Sequence, residues 1–406
     1  MYMKKRRILL LLLLFSLTGC GRDLYKMPKE VEITLNENQF KVFSDVKIKD
    51  LIASSNVELQ NGNDEIVNDK IGEHTVTLDY QYKRKKYKFD ITYKMVDKTA
   101  PIFLSVPGNK TVIKEDDFYP CELPVFIDDY DSVPTCEIEG EYDLTKVGVY
   151  QVKYVIKDSS QNTVKRDLRI NVVDHISTNK GSSSNTNTTN TPTPKDKIED
   201  VIAKYKTDET MIGIDVSRYQ GDIDYEQVRN AGVEFVMMRI GVQSGVNKNM
   251  EMDTFFLKNI ENAKNAGLKI GVYVYSTATT DEKAREHAKW VVENLKGAKL
   301  DFPIAYDWEN WKYLMEYKTS IHRMNENFKA FATELKKYDY EAFLYSSKYY
   351  LENIWQTHEY PVWLAHYTSE TTYKGNYTMW QFSNRGKVPG IEGDVDLNVY
   401  YKNKVQ

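Results

Sequence analysis

The sequence predicts a multidomain protein with all-β sandwiches in its amino-terminal half and a β/α barrel in its carboxy-terminal half. Between residues 30 and 174, short segments alternate apolar and polar side chains, and turn residues separate them about every ten positions. From Met211 onward, strand-like segments alternate with amphipathic helical stretches, which is typical of a parallel sheet. One of these strands ends in two carboxylates, Asp307 and Glu309, which are the first candidates for a functional site.

The composition of the 406 residues is that of an ordinary globular protein, with 41% hydrophobic and 28% charged residues. The net charge of -4 gives no basic bias, so no nucleic-acid partner is expected. No Cys-x-x-Cys or His-rich spacing points to a metal, so neither a metal nor another cofactor is expected.

The amino terminus predicts an export signal. Basic residues Lys4–Arg7 precede an apolar run, Ile8–Leu17, and the run ends in Gly19 and Cys20. This ending resembles a bacterial lipobox, in which the cysteine is acylated and becomes the first residue of the mature protein. We therefore expect residues 1–20 to be a lipoprotein signal peptide and Cys20 to carry the lipid. The protein would then be lipid-anchored to the cell membrane on its extracellular, wall-facing side. An uncleaved signal anchor is the alternative.

Two β modules are expected next, at residues 21–96 and 97–174. A weak internal repeat relates them, because Lys70–Val76 matches Lys146–Val152 at a spacing of 76 residues. The second module resembles the immunoglobulin-like modules of bacterial surface proteins, beginning with the run Asp97–Pro101. We expect both modules to act as spacers, and binding of a wall polymer is the alternative.

The second module contains Cys121 and Cys136, which form either a disulfide or two free thiols. Residues 175–210 are rich in Ser, Thr, Asn and Pro at their start, and they predict a flexible linker with a short helix near 196–206.

The last domain, residues 211–406, predicts a modified TIM-like barrel. Its eight predicted strands are Met211–Val216, Glu234–Gly241, Lys269–Ser276, Phe302–Glu309, Ala342–Ser346, Val362–Tyr367, Thr378–Ser383 and Val395–Val399. Its 196 residues fall short of the roughly 250 of a full barrel. We therefore expect full helices only after the early strands.

The run Pro303–Glu309 predicts a buried strand with acids at its carboxyl end. Residues two apart in a strand point to the same face, so Asp307 and Glu309 project together while Trp308 points away. Two acids at this end of a barrel strand suit acid-assisted cleavage of a glycosidic bond. A solvated strand end is the alternative.

Six runs make the resemblance of this domain to a known family specific, because they occur in family order across nearly all of it. They are Gly213–Gly221, Gly271–Ser276, Tyr306–Glu309, Val362–Tyr367, Trp380–Ser383 and Val395–Asn398. The domain resembles the family 25 glycoside hydrolases, the muramidase-type lysozymes. The resemblance implies hydrolysis of the β-1,4 bond between N-acetylmuramic acid and N-acetylglucosamine, with peptidoglycan glycan strands as the partner. It also implies four acidic cleft residues, at Asp215, Asp307, Glu309 and Asp396.

The four acids suggest different roles. Glu309 is the best general acid, because an apolar cleft and neighbouring carboxylates would keep it protonated. Asp307 would orient and charge-stabilise the 2-acetamido group of the sugar in a substrate-assisted reaction. The rival assignment makes Asp307 or Asp215 the nucleophile or base. Asp215 and Asp396 would position partners and tune pKa values, with Asp394 a competitor for the role of Asp396.

Aromatic side chains are candidates for substrate binding, because their faces stack on pyranose rings. The candidates, with one amide, are Tyr273, Tyr275, Tyr306, Tyr345, Trp363, Tyr367, Trp380 and Gln381. Core packing is the alternative for each, and Tyr275 and Trp380 are preferred because they end strands in the matching runs.

Local wall remodelling by a tethered lysozyme is therefore the leading functional prediction. The alternatives are a peptidoglycan-binding or adhesion lipoprotein with weak or no activity, and a related N-acetylhexosaminidase with another bond specificity. An intact set of acids favours the enzyme.

Overall fold

The computed structural model describes residues 27–175, 195–357 and 359–403. They divide into one compact unit that ends at Asp97 and a second that runs from Lys98 onward. The predicted signal peptide with Cys20, and most of the predicted linker, lie outside the described residues. Among the residues that are described, no helix is both long enough and apolar enough to cross a membrane.

The first unit is built of two small sheets. Strands β1 and β3 pair antiparallel, and the other sheet has the order β2-β6-β5-β4. The buried side chains Leu78, Ile91, Tyr93 and Met95 on the long hairpin β5–β6 form its core. The strands are β1 (Ile33–Leu35), β2 (Gln39–Lys41), β3 (Ile52–Ser55), β4 (Glu58–Leu59), β5 (Gly72–Tyr82) and β6 (Lys85–Val96).

The second unit begins with another β-rich module, again with one two-stranded and one four-stranded sheet. Strands β7 and β9 pair antiparallel, and the larger sheet has the order β10-β11-β12-β8. Its strands are β7 (Ile102–Ser105), β8 (Asn109–Ile113), β9 (Val125–Ile127), β10 (Thr135–Glu139), β11 (Gly148–Lys157) and β12 (Thr163–Val173). The repeat in the sequence marks the start of the long hairpin in each module, at Gly72 and Gly148. Both modules are β-rich, and their immunoglobulin-like character stays a prediction.

Cys121 and Cys136 form a disulfide in this module, with Cα atoms 5.8 Å apart. The sequence allowed either a disulfide or two free thiols, and the structure has the disulfide.

The rest of the second unit is a closed barrel. Its strands are β13 (Asp196–Lys197), β14 (Thr210–Val216), β15 (Phe235–Val242), β16 (Glu251–Met252), β17 (Lys269–Tyr275), β18 (Ile304–Asp307), β19 (Ala342–Ser347), β20 (Val362–Ala365), β21 (Met379–Lys387) and β22 (Val395–Tyr401). Its helices are α1 (Ile198–Tyr205), α2 (Tyr225–Asn230), α3 (Phe256–Asn265), α4 (Asp281–Leu295), α5 (Leu314–Tyr317), α6 (Ile321–Lys336) and α7 (Lys348–Asn353).

Eight strands close the barrel, in the order β14-β15-β17-β18-β19-β20-β21-β22, with β22 returning to β14. The first seven are parallel to their neighbours, whereas β22 is antiparallel to both β21 and β14. Helices follow the strands up to β19, and the residues described between β20 and β22 form none. The predictions of eight strands and of helices confined to the early part are therefore confirmed.

Side chains alternate between two apolar layers. An inner cluster that includes Phe235, Met237, Phe343 and Trp363 fills the barrel. The outer cluster lies between the strands and the helices. This alternation decides which residue of each strand reaches the centre of the barrel.

Two glycines make room for the inner cluster. A Cβ at Gly213 on β14 would lie 2.4 Å from the Phe235 ring, and one at Gly271 on β17 would lie 2.2 Å from Met237 Sδ. Since Phe235 and Met237 belong to the strand between them, β15, the glycines that open two of the family-like runs serve packing.

The predicted linker differs from the structure at its carboxyl end. Strand β13 pairs with β21, and helix α1 buries Ile198 and Val201 in the outer cluster. The helix expected near 196–206 is therefore present, and residues 195–210 are part of the barrel unit because they contribute to its core.

Candidate active site

Four acids meet at one rim of the barrel. Asp215 lies near the carboxyl end of β14, Asp307 ends β18, and Glu309 follows two residues later. Asp396 is the second residue of β22 and so lies near the amino end of that strand. It still reaches the same rim because β22 is antiparallel, and it pairs directly with Asp215 in the register of β14 and β22.

The acids line an open cleft of about 530 Å³. Tyr273 and Tyr275 at the end of β17 form part of its wall, as do Tyr219 and Tyr313 from loops at the rim. A cleft of this volume, with converging polar groups and aromatic walls, is of the kind that binds a ligand.

Asp215 is held by two amides. Its Oδ2 atom accepts hydrogen bonds from Gln381 Nε2 at 2.9 Å and from Asn398 Nδ2 at 2.8 Å. Trp363 Nε1 in turn donates to Asn398 Oδ1 at 2.8 Å, which fixes the orientation of that amide. Burial raises the pKa of Asp215 and the two amide donors oppose it.

A hydrogen bond joins the carboxyl groups of Asp396 and Asp215. Burial, together with the charge of Asp215 and a hydrogen bond between the two carboxyl groups, raises the pKa of Asp396 to about 9. With a pKa of about 9, Asp396 holds its proton at neutral pH, and the two amide donors favour the charged form of Asp215. Asp394, the competitor for this role, instead pairs with Lys195 and Lys387.

Asp307 and Glu309 both face the cleft, while Trp308 between them is buried in the outer cluster. Burial and then the charge of Asp215 raise the pKa of Glu309 to about 7. Burial, followed by the charges of Glu309 and Asp215, holds the pKa of Asp307 well above its ordinary value. Asp307 Oδ1 is buried and accepts no hydrogen bond from any residue that the structure describes. A carboxyl group that is partly protonated near pH 7 thus lines the same cleft as Asp307, whose buried Oδ1 has no hydrogen-bond donor among the described residues.

A buried arginine completes the rim. Arg239 on β15 makes an ion pair with Asp253, with Nη2 at 2.6 Å and Nε at 2.8 Å from the same carboxylate oxygen. It lowers the pKa of Asp307, against the larger effect of burial, and it lines the cleft.

Six of the eight predicted substrate-binding residues fall into three groups. Tyr273 and Tyr275 line the cleft. Tyr345 and Tyr367 donate their hydroxyls to Gln381 Oε1, at 2.8 and 3.0 Å, and so lie in the network around Asp215. Trp363, only 1% exposed, supports that network from inside the barrel.

Tyr306 and Trp380 were expected in the cleft, and the structure corrects this placement. Tyr306 packs against Phe328 and Phe331 of α6, and Trp380 packs against Tyr205 of α1. Both point to the outer layer, since each is one residue away from an inward-facing neighbour, Asp307 or Gln381.

Sequence reasoning missed Arg239, Asn398 and Tyr219. A charged residue within an apolar strand was the signal for Arg239. Asn398 lies one alternation beyond Asp396 on the same strand, in a run already identified as family-like. Tyr219 lies in the run Gly213–Gly221 but outside any strand, so alternation gave no direction for it.

Within the described part of the chain, one group of acids could hold a cation, and these acids lie in the β module. Asp128, Asp131 and Asp158 offer carboxylate oxygens within 4.8 Å of one another. Asp128 and Asp158 already accept backbone hydrogen bonds from neighbouring turns, so the arrangement is also that of an ordinary pair of Asx turns.

A parallel-stranded barrel with carboxyl groups gathered at one rim of a polar cleft has the site geometry of a glycoside hydrolase. Residues 214–391 match the model of glycosyl hydrolases family 25.

Curated relatives cover the same region. The chain is similar to the autolytic lysozyme of Clostridium acetobutylicum, with 31% identity over 193 residues, which is 47% of this chain and 56% of that protein. It is also similar to lysozyme M1 of Streptomyces globisporus, with 29% identity over 210 residues, 46% of this chain and 67% of that protein. This chain thus spans little more than half the length of the clostridial relative.

Among solved structures, the chain is similar to a bacterial lysozyme from Streptomyces coelicolor. The identity is 27%, the match covers 47% of this chain and 91% of that one, and the TM-score is 0.41.

Proposed function

We propose that the barrel domain is an N-acetylmuramidase, which hydrolyses the β-1,4 bond between N-acetylmuramic acid and N-acetylglucosamine in peptidoglycan. The observation that carries this proposal is Glu309, a carboxyl group with a pKa of about 7 in a cleft shared with three other acids. The similarity of this region to two lysozymes supports the same substrate.

Glu309 is the proton donor. Because its pKa lies near neutrality, the acid form is populated at physiological pH and can protonate the leaving glycosidic oxygen. Burial supplies most of this effect, and the carboxylate of Asp215 adds to it. Asp215 therefore acts on the proton of Glu309 rather than on the sugar, and Asp396 acts through its hydrogen bond to Asp215.

Asp307 orients the substrate's own acetamide. Its buried Oδ1 has no hydrogen-bond donor among the described residues, and a buried polar atom without a partner is costly. The N–H of a 2-acetamido group would satisfy it and turn the acetamide oxygen toward the anomeric carbon, as a substrate-assisted reaction requires. Direct attack by Asp307 is the rival mechanism.

The rival mechanisms differ in their intermediate. A substrate in which the acetamide is replaced by a hydroxyl would lose cleavage entirely under the acetamide mechanism, whereas direct attack by Asp307 would retain turnover and accumulate a covalent glycosyl-enzyme detectable by mass spectrometry.

The site of action follows from the sequence. We propose that Cys20 is acylated and holds the enzyme on the wall-facing side of the cell membrane, where it remodels the wall of the producing cell. A freely diffusing weapon would not need an anchor. The test is Cys20→Ala, which should release the protein into the medium and abolish remodelling of the wall of the producing cell. Equal wall remodelling by the protein from the medium would contradict the proposal.

The reaction is tested by digesting purified peptidoglycan with the full chain and reducing the products with borohydride. A muramidase leaves reduced muramic acid at the new ends. Glu309→Gln, which keeps the shape of the side chain but removes the acid, should lower the rate by about 10²- to 10⁴-fold. Reduced glucosamine would indicate a related hexosaminidase, and binding without new reducing ends would indicate an adhesion protein.

A further inference from the structure

The β module that precedes the barrel is packed against the segment that follows the catalytic strand. Ile127 at the end of β9 is 1% exposed and belongs to the same buried cluster as Trp308, Trp311 and Tyr317. The partly buried Ile102, Leu104 and Val125 of the strand pair β7–β9 pack against that cluster as well. Two turns of helix, Trp311–Tyr313 and α5, contact β9 directly.

This contact leads to Glu309 through a short chain of neighbours. Trp311 donates its backbone N–H to the carbonyl oxygen of Glu309 at 2.7 Å, and its ring lies 4.7 Å from that of Trp308. Tyr317 packs on Trp308 with ring centroids 5.4 Å apart and accepts a hydrogen bond from Asn310. The general acid therefore lies in a loop whose buried side is formed partly by the module.

Hydrogen bonds join the same two parts. The N–H groups at the start of a helix have no partner within the helix. In α6, those of Ile321 and His322 donate to the carbonyl oxygens of Asp128 and Asp129, at 2.8 and 3.2 Å. The Tyr349 hydroxyl donates to the carbonyl oxygen of Phe103 at 3.0 Å. The module thus supplies two of the acceptors at the amino end of α6.

The disulfide closes the docking segment itself. Cys121 and Cys136 are 15 residues apart, and between them lie β9 and the carbonyl groups of Asp128 and Asp129. A covalent link across a short loop restricts its conformations before it docks.

We infer that the disulfide-closed loop, residues 121–136, is a positioning element of the active site that holds the segment carrying Glu309 in its working geometry. It replaces the expectation that this module is only a spacer, and it rests on the proposed function. Ile127 is its central contact. No residue of the loop is among those that line the cleft, so it acts through Trp311 and Trp308.

The test compares two identical substitutions in the full chain. Ile127→Ala removes the contact with the barrel, and Ile170→Ala makes the same change in the core of the module, away from the barrel. On peptidoglycan, Ile127→Ala should lower kcat by about 10- to 100-fold with KM changed by less than about threefold, because a displaced catalytic group slows chemistry more than binding. Ile170→Ala should keep kcat within about twofold of the wild type.

Graded and covalent variants extend the comparison. Ile127→Val should retain most of the kcat that Ile127→Ala loses. The double variant Cys121→Ser with Cys136→Ser should lose part of that kcat. Circular dichroism at the assay temperature establishes whether each variant is folded. If Ile127→Ala does not fold, the kcat of Ile127→Val is compared with that of Ile170→Val instead.

Equal kcat values for the Ile127 and Ile170 variants, whether both high or both low, would overturn the inference. Its failure is separate from that of the proposed function, because the wild-type digest alone shows whether reduced muramic acid is produced.

Discussion

Gln381 donates its amide N–H to Asp215 at 2.9 Å, and the oxygen of the same amide accepts hydrogen bonds from Tyr345 and Tyr367. Two hydroxyl donors at the oxygen leave the amide only one orientation, with its nitrogen toward Asp215. This relationship lowers the pKa of Asp215 against the larger effect of burial, and the charge of Asp215 in turn raises the pKa of Glu309.

Gln381→Leu should therefore impair catalysis although it removes no acid. The substitution leaves the hydroxyl of the buried Tyr345, the hydroxyl of Tyr367 and one oxygen of Asp215 without this partner. The cost is about 1–3 kcal/mol, or about 5- to 150-fold in kcat if it falls on the transition state. Initial rates on peptidoglycan measure it. Gln356→Leu, at an exposed glutamine of the same domain, is the matched control. A Gln381→Leu enzyme as fast as this control would show that the network does not act on the reaction.

The rate should fall on the alkaline side of about pH 7. Glu309 must be protonated to donate, and its raised pKa means that the acid form dominates below about 7 and is lost as the pH rises through that value. A rate that falls tenfold per pH unit above the pKa is the expected profile for kcat/KM.

Asp215→Asn should move that alkaline limb to lower pH, because it removes a neighbouring charge that raises the pKa of Glu309. Glu316→Gln, an exposed acid in α5, should leave the limb in place. A limb that does not move in Asp215→Asn would mean that another group titrates.

The barrel and its acids were predictable because both follow from local rules. Alternation along Ile304–Asp307 placed Asp307 inside, and the same rule, had it been applied to its neighbours, would have placed Tyr306 outside. It would also have placed Trp380 outside had Gln381 been taken as the inward residue. The eight strands were found because each is a short apolar run between helical or turn segments.

Long-range pairing was not predictable. The reversed direction of β22, which brings the amino end of that strand to the rim, depends on its pairing with both β14 and β21. The burial of Ile127 against Trp311 depends on contacts between residues almost 200 positions apart, which no local pattern reports.

Asp396 should make the fold less stable as the pH rises. The pKa of a free aspartate is about 3.9, whereas that of Asp396 in the fold is about 9. The folded state binds the proton more tightly, so stability is full below about pH 4 and declines between that value and about 9. Asp396→Asn removes this dependence, and its amide can still donate to Asp215.

The measurement is Tm against pH from 5 to 9 for the wild type and Asp396→Asn. The variant should lose less stability over this range and should melt at least about 2 °C higher at pH 9. Asp394→Asn is the control two residues away, since two lysines lower the pKa of Asp394 and its titration lies at the acid end. Parallel curves of Tm against pH for the wild type and Asp396→Asn would show that a group other than Asp396 holds this proton.

Tyr219 should bind substrate rather than take part in the chemistry. It is 75% exposed at the mouth of the cleft, and the guanidinium groups of Arg218 and Arg239 lie 5.3 and 5.2 Å from the centre of its ring. The two cations hold the ring in place, and its free face can stack on a pyranose. Tyr219→Ala should raise KM by about 2- to 10-fold, from a stacking contribution of about 0.5–1.5 kcal/mol, with kcat nearly unchanged.

Kinetics on soluble glycan oligomers measure both constants. Tyr338→Ala, an exposed tyrosine that does not line the cleft, should change neither. A fall in kcat at constant KM would instead show that Tyr219 stabilises the transition state. Arg239, which lies beside it, would then be the group to test next.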